Sequence, residues 1–333
     1  MNKRLSYMDA LRGVGMLMVV YHHLIVMGMR DAGYNSPVNA VIRPIFMPLF
    51  FFISGYFSAR LLQVDNSQIK NVVISKVQGL LIPTVVMFSF CLIYFRLNPY
   101  EFLVDSFKCG YWFTWVLFVI TLIFLFVSVF LPSRIKVGGQ IMIGIILYFL
   151  GKRMNEGNVL VASLSLDFVC LYYIYYIMGI IVRVKEPLIN GFLKNKWFLT
   201  VMFLLSVLPF FVSVVGIKRD VLSCLQIFVL FVIFKFYAPY FDRNDGFGRC
   251  LQKIGKHSLE VYFLHYYLLF KIDFLCRWLS QLTSDYCFRS HSCIFVVEIV
   301  LVGVIAMAIC YLCMMIKKIL AVFPVITKLC FGR

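Results

Sequence analysis

The stretch Met8–His23 reads M-D-A-L-R-G-V-G-M-L-M-V-V-Y-H-H, an apolar run with Asp9 and Arg12 near its start and two histidines at its end. Wound as an α-helix, it advances about 1.5 Å and 100° per residue. The eleven steps from Arg12 to His23 therefore return to nearly the same face, about 16 Å further along the axis. One group stands at the mouth of an apolar segment and the other sits deep inside it. An ionisable side chain within hydrocarbon is expensive, so a proton acceptor placed there is a functional-site candidate.

Working outward, the composition repeats the pattern of this first segment. Hydrophobic residues make up 62% of the 333 and charged residues 14%, with a mean hydropathy of +0.91. A soluble domain carries about 25% charged residues, so the expected class is a polytopic membrane protein. The fold class expected is all-α, a bundle of about ten spans. Apolar runs place them at 10–29, 38–62, 79–97, 112–131, 137–151, 169–184, 197–216, 221–240, 258–278 and 293–316. Ten spans of ~20 residues leave no room for a separate soluble domain, so residues 1–333 read as one integral-membrane domain. An even number of spans puts both termini on one side. Assigning that side to the cytoplasm gives it about twice as many Lys and Arg as the other, the bias that sets orientation.

The net charge of +17 is first an expression of this bias, which also holds anionic lipid headgroups. The basic residues lie in short scattered loops and not on one face of a folded domain, so nucleic acid is not an expected partner. A polyanionic cytosolic substrate such as a CoA thioester would be drawn to that face. Of the eleven cysteines, Cys91, Cys170, Cys224, Cys276, Cys310 and Cys313 fall in apolar runs and read as small buried residues. Cys109, Cys287 and Cys293 lie near external loops, which leaves one disulfide open. No cluster of ligands has metal-site spacing, so no metal is expected. Lys3 and Arg4 precede an apolar run as in a signal peptide, but Asp9 and Arg12 interrupt it and no small-residue cleavage site comes after it. The run is expected to stay as the first span. The longest polar connector, 241–257, contains Gly, Asp and Asn turn signals and a short interfacial helix at Gln252–Lys256.

D-x-x-R-G followed by an apolar run to His23, then F-M-P-L-F-F-F-I-S-G-Y-F at 46–57, resembles the bacterial integral-membrane acyltransferase-3 family of O-acyltransferases. L-L-I-P at 80–83, Y-W-F-T-W-V-L-F at 111–118, Y-I-Y-Y-I-M-G at 173–179 and I-G-K-H-S-L-E-V-Y-F-L-H at 254–265 are similar to later segments of that family in the same order. The resemblance implies transfer of an acyl group, usually acetyl from acetyl-CoA, to a hydroxyl of a surface or lipid-linked glycan. It also implies a bacterial inner-membrane location and no permanently bound cofactor.

Carried over residue by residue, the resemblance makes His23 the histidine that acts as general base, with a covalent acyl-histidine as the alternative. His22 points about 100° away and reads as structural or substrate-lining. Arg12 matches the family's arginine and suits CoA phosphates or an orienting carboxylate, for which Asp9 is the nearest candidate. Snorkelling to lipid phosphates is the bland reading of Arg12. Many relatives carry a histidine where this chain has Phe46, so a more apolar wall is expected beside His23. Pro48 is expected to kink the second span, and Ser54-Gly55 to permit close helix approach. Two basic residues three apart commonly precede the third helix in the family. Here Lys76 holds the first position and Gly79 the second, with Arg60 and Lys70 as possible substitutes. Glu260 and His265 enter the membrane together in the ninth span, and either is a candidate to orient His23. Trp112 and Trp115 read as lining an acceptor entrance or as an interfacial aromatic belt. The rival class is a secondary transporter or flippase for a lipid-linked glycan, since buried His, Arg and Glu also mark transport paths.

Overall fold

The structure is a computed structural model that describes residues 4–34, 36–154, 157–211, 219–243, 245–269 and 292–332. Among these residues every regular element is helical. In chain order the first are α1 (Ser6–Tyr34), α2 (Pro37–Ile42), α3 (Phe46–Ser58), α4 (Asn66–Lys76), α5 (Ile82–Phe95) and α6 (Pro99–Val104). Next come α7 (Trp112–Phe130), α8 (Lys136–Gly151), α9 (Val159–Leu164), α10 (Leu166–Val184), α11 (Glu186–Phe192) and α12 (Lys196–Phe211). The last are α13 (Arg219–Phe236), α14 (Ala238–Asp242), α15 (Gly246–Lys256), α16 (Ser258–Leu269), α17 (Ser292–Leu320) and α18 (Pro324–Phe331).

Among the described residues, five helical stretches are long and apolar enough to cross a membrane: Ser6–Met27, Ser67–Phe95, Trp112–Phe130, Leu166–Val184 and Ile299–Leu320. Lys136–Gly151 is a shorter apolar helix. The seventh and ninth expected spans run beyond the described residues at 212–218 and 270–291. The second expected span, 38–62, is not one helix. A turn at Arg43–Ile45 separates α2 from α3, and a 3-10 segment, Ala59–Gln63, comes after α3. Pro44 sits in that turn, and Pro48 falls in the first turn of α3, where its missing N–H has no intrahelical partner to lose. The break therefore comes before Pro48.

The chain divides into two compact units, residues 1–50 with 190–319 and residues 51–189 with 320–333. Both are assembled from separated pieces of sequence. No composition boundary marks them, and the reading of one domain over 1–333 contains no signal for the division.

In the first unit α1 and α15 are packed backbone to backbone. A Cβ at Gly13 would run into the carbonyl of Leu251, and one at Gly255 into the carbonyl of Asp9. Small residues at a crossing let helix backbones approach, which replaces the hydrophobic drive that lipid removes. The segment read as a polar connector at 241–257 is thus mostly helix. Gly248, Leu251, Gln252 and Gly255 form its buried face at helical spacing, while Arg249 and Lys253 stay exposed. Further ties hold the N-terminal end of α1. Ser6 Oγ donates to Asp242 Oδ1 at 2.7 Å, and the Lys235 ammonium lies 5.2 Å from the Tyr7 ring centroid.

The second unit repeats the device. A Cβ at Gly55 would meet the carbonyl of Tyr176, and one at Gly179 the carbonyl of Phe52, so α3 and α10 cross through reciprocal glycines. Arg183 completes this seam by donating to Tyr56 Oη at 2.9 Å and pairing with Glu186. Several buried polar groups in this unit find partners within it. Gln140 Nε2 donates to the Phe124 carbonyl at 3.0 Å and to Ser128 Oγ at 2.9 Å, and its Oε1 accepts from Tyr173 Oη. Lys108, 1% exposed, donates from Nζ to the carbonyls of Asp105 and Ala162, each at 3.0 Å. Burial pushes its ammonium below the usual lysine range, against the pull of Asp105 and Asp167.

Candidate functional site

The long helix α1 runs unbroken from Ser6 to Tyr34, so Arg12 and His23 are joined by continuous helix. Their separation along the axis is about 16 Å on nearly one face. Both side chains are part-exposed, and between them Met16, Val19, Val20 and Tyr21 are buried while Val14, Leu17, Met18 and His22 are part-exposed.

His23 meets α16 at its upper end. Its Nδ1 lies 3.2 Å from His265 Nε2, and its Nε2 lies 2.8 Å from Tyr266 Oη. His265 is fully buried and its own Nδ1 lies 3.0 Å from the carbonyl oxygen of Val261. A carbonyl only accepts, so that contact keeps the His265 proton on Nδ1 and leaves a lone pair on Nε2. His23 Nδ1 then donates to that lone pair. The remaining lone pair of His23 is on Nε2, where the Tyr266 hydroxyl donates. Hydrogen bonds alone thus set both tautomers in one line: Tyr266 O–H to His23, His23 N–H to His265, His265 N–H to the backbone. The rings reinforce it, with centroids 5.1 Å apart for His23 and His265 and 4.2 Å for His265 and Tyr266.

His22 belongs to a neighbouring arrangement. Its Nδ1 donates to Asn39 Oδ1 at 2.6 Å, and Asn39, fully buried on α2, is steadied by its backbone N–H to Ser36 Oγ at the helix N-cap. Phe46 packs its ring 4.8 Å from that of His22. The ring expected to wall His23 thus lies against His22, whose own ring is 5.3 Å from His23.

Of the other first-unit candidates, Asp9 is buried and clamped by Arg4, with Nε to Oδ2 at 2.5 Å and a second bond at 3.1 Å. The carboxylate considered for Arg12 is therefore engaged from the N-terminal side, by a residue whose charge reads in the sequence only as a topology signal. Glu260 is also buried, and its Oε1 lies 3.3 Å from His257 Nδ1 in the first turn of α16. Of the ninth-span pair, His265 reaches His23 and Glu260 reaches His257.

The second unit holds the remaining candidates. Arg60 and Lys70 are exposed, and Lys76 is part-exposed at the end of α4. Directly after Lys76 the chain makes a π-helical turn, Val77–Leu81, before α5. One extra residue in a turn rotates the rest of the helix, and such bulges are frequent at functional positions. Gly79 lies in this turn with open space where a side chain would begin. Trp112 is buried and packs on Phe51, Phe168 and Tyr172, and Trp115 Nε1 donates to the carbonyl of Leu164 at 3.0 Å. Both tryptophans thus take part in the packing of their own unit.

Tyr266, Asn39 and His257 are site neighbours that sequence reasoning does not single out. Tyr266 directly follows a candidate histidine, and that adjacency is the signal that points to it. Cys109 carries a free thiol, and Cys287 lies outside the described residues.

A family model described as an acyltransferase domain, Acyl_transf_3, matches residues 5–315. No curated protein and no solved structure matches the chain.

Proposed function

From the chain's membership of the acyltransferase-3 family, we propose that this multi-pass membrane protein transfers acetyl from acetyl-CoA to a hydroxyl of a surface polysaccharide or lipid-linked sugar. The protein would work in a bacterial inner membrane with both termini in the cytoplasm. The observation that carries the reading is the hydrogen-bonded line through His23, which leaves a neutral imidazole with its lone pair on Nε2.

A sugar hydroxyl is a poor nucleophile until its proton is accepted as it attacks. His23 is the proposed acceptor of that proton, directly or through a bound neighbour. His265 holds the ring in orientation and tautomer and takes no proton itself. Arg12, about 16 Å below on the same helix, is proposed to hold donor phosphates while the pantetheine arm carries the thioester up toward His23. Lys76, Arg60 and Lys70 are proposed as further candidates for holding donor phosphates, on the family likeness of the basic position before the third helix. The C–S bond of the thioester breaks, the ester C–O bond forms, and the thiolate leaves with the proton returned by the imidazolium.

The function is tested by mass spectrometry of surface glycans from cells with and without the protein. An acyl mass present only with the protein supports transfer. Unchanged modification with altered glycan export would favour transport instead.

Two residues give sharper tests. Arg12→Ala should weaken donor binding by about 10- to 150-fold, the equivalent of one or more lost hydrogen bonds to a charged group, and added salt should weaken the wild-type affinity. Calorimetry with CoA on purified protein measures both, and an affinity indifferent to the substitution and to salt removes Arg12 from the donor site. His265→Ala should lower kcat by about 10- to 100-fold through lost orientation, with donor affinity retained. His265→Gln places an amide oxygen near the former Nε2 and should recover much of the loss. Equal rates for the Ala and Gln variants would deny His265 this role.

A further inference from the structure

The lone pair that the proposed reaction needs is already occupied. His23 Nε2 accepts from Tyr266 Oη at 2.8 Å, so an acceptor hydroxyl reaches that nitrogen only if the tyrosine swings away or passes the proton on. Tyr266 is poorly placed to swing. Its ring is packed 4.2 Å from His265 and 4.8 Å from His23, centroid to centroid, and it follows His265 directly on α16. Passing the proton on needs no movement, because a phenolic oxygen that donates one bond keeps lone pairs to accept another. Both Tyr266 and His23 are part-exposed, while His265 behind them is fully buried. The line thus runs from the part-exposed Tyr266 hydroxyl through His23 to the fully buried His265 and the Val261 carbonyl.

We propose that Tyr266 is a catalytic residue that relays the acceptor's proton to His23. The inference rests on the acyl-transfer reading and assigns a second group to that site. As the acceptor oxygen bonds to the thioester carbonyl carbon, its O–H breaks and the proton passes to Tyr266 Oη. The original Tyr266 proton moves to His23 Nε2, giving an imidazolium that still donates from Nδ1 to His265. Collapse of the tetrahedral intermediate breaks the C–S bond. The proton then returns from Nε2 through Tyr266 to the thiolate. One O–H and one C–S bond are lost, one C–O and one S–H bond are gained, and His23 and Tyr266 end as they began.

The test uses full-length protein in lipid nanodiscs with acetyl-CoA and an acceptor glycan shown to be modified by the wild type. Tyr266→Phe keeps the ring and removes only the hydroxyl. It should retain CoA affinity and lower kcat by about 100-fold or more, in the range of lost acid–base catalysis. In mixtures of light and heavy water the wild-type kcat should fall along a curve, as for two protons in flight, and the residual Tyr266→Phe rate along a straight line. A rate equal to wild type would overturn the relay, and a faster one would mean that the hydroxyl only blocks His23. If Tyr266→Phe does not fold, 3,5-difluorotyrosine at position 266 replaces it. Its more acidic phenol should shift the alkaline side of the pH–rate profile downward, and an unmoved profile overturns the proposal. Wild-type protein that transfers no acyl group to any glycan would remove the reading beneath the relay, a different outcome from an unaffected Tyr266 variant.

Discussion

His23→Ala should lower acyl-transfer turnover by about 10²- to 10⁴-fold, the range general-base catalysis contributes, while the protein inserts, folds and binds CoA as before. The expectation comes from the bonds around the ring. His265 and Tyr266 both point hydrogen-bonding atoms at His23, and the substitution removes the lone pair to which the tyrosine donates. His22→Ala should cost far less, since His22 is turned to Asn39 and Phe46. Turnover by radiolabelled acetyl transfer checks both variants, and near-normal activity in His23→Ala would end the general-base assignment. Phe46→His should act first on His22, so its pH–rate profile is expected to change less than one from a histidine placed directly against His23.

Gly13→Leu should prevent the first unit from assembling. Even a single methyl at Gly13 would overlap the Leu251 carbonyl, which belongs to backbone and cannot rotate away. The helices must separate, and with them the reciprocal contact of Gly255 on Asp9 and the burial of Leu251 and Ile254. Overlap of this kind exceeds ordinary overpacking of about 1–3 kcal/mol and belongs with the exceptional losses above about 4 kcal/mol. Gly303→Leu is the control, because a Cβ there meets nothing within 4 Å. Detergent-solubilised protein followed by size exclusion and thermal melting should show Gly303→Leu like wild type and Gly13→Leu aggregated. A Gly13→Leu melt matching wild type would refute the tight α1–α15 crossing.

The family's first motif gains a physical reading from this crossing. In D-x-x-R-G, Gly13 allows α15 onto α1, Asp9 takes Arg4, and Arg12 remains part-exposed one turn along. The second motif behaves alike, with Gly55 admitting α10 and Tyr56 receiving Arg183. These motifs are as much seams between helices as they are sites.

Membrane class, the all-helical character and the family are legible in the chain itself, because each depends on local quantities. Apolar run length against bilayer thickness, helical periodicity and the ordered motifs suffice for them. The one-face relation of Arg12 and His23 is legible for the same reason, since a single helix carries both. Which partner reaches His23 is not. Spacing places Glu260 and His265 about 140° apart on their own helix, but it contains nothing about the rotation of α16 against α1, which packing decides. That rotation brings His265 and Tyr266 to His23 and leaves Glu260 with His257. The polar stretch at 241–257 misleads in the same way. Its glycines read as turns from local propensity, yet Gly248 and Gly255 lie on the buried face of α15, and Gly255 serves a contact with a helix more than 230 residues away in sequence. Local sequence encodes where helices form and which groups they carry. Non-local close approach decides which of those groups meet, because a missing side chain gains its meaning only from the backbone that fills its place.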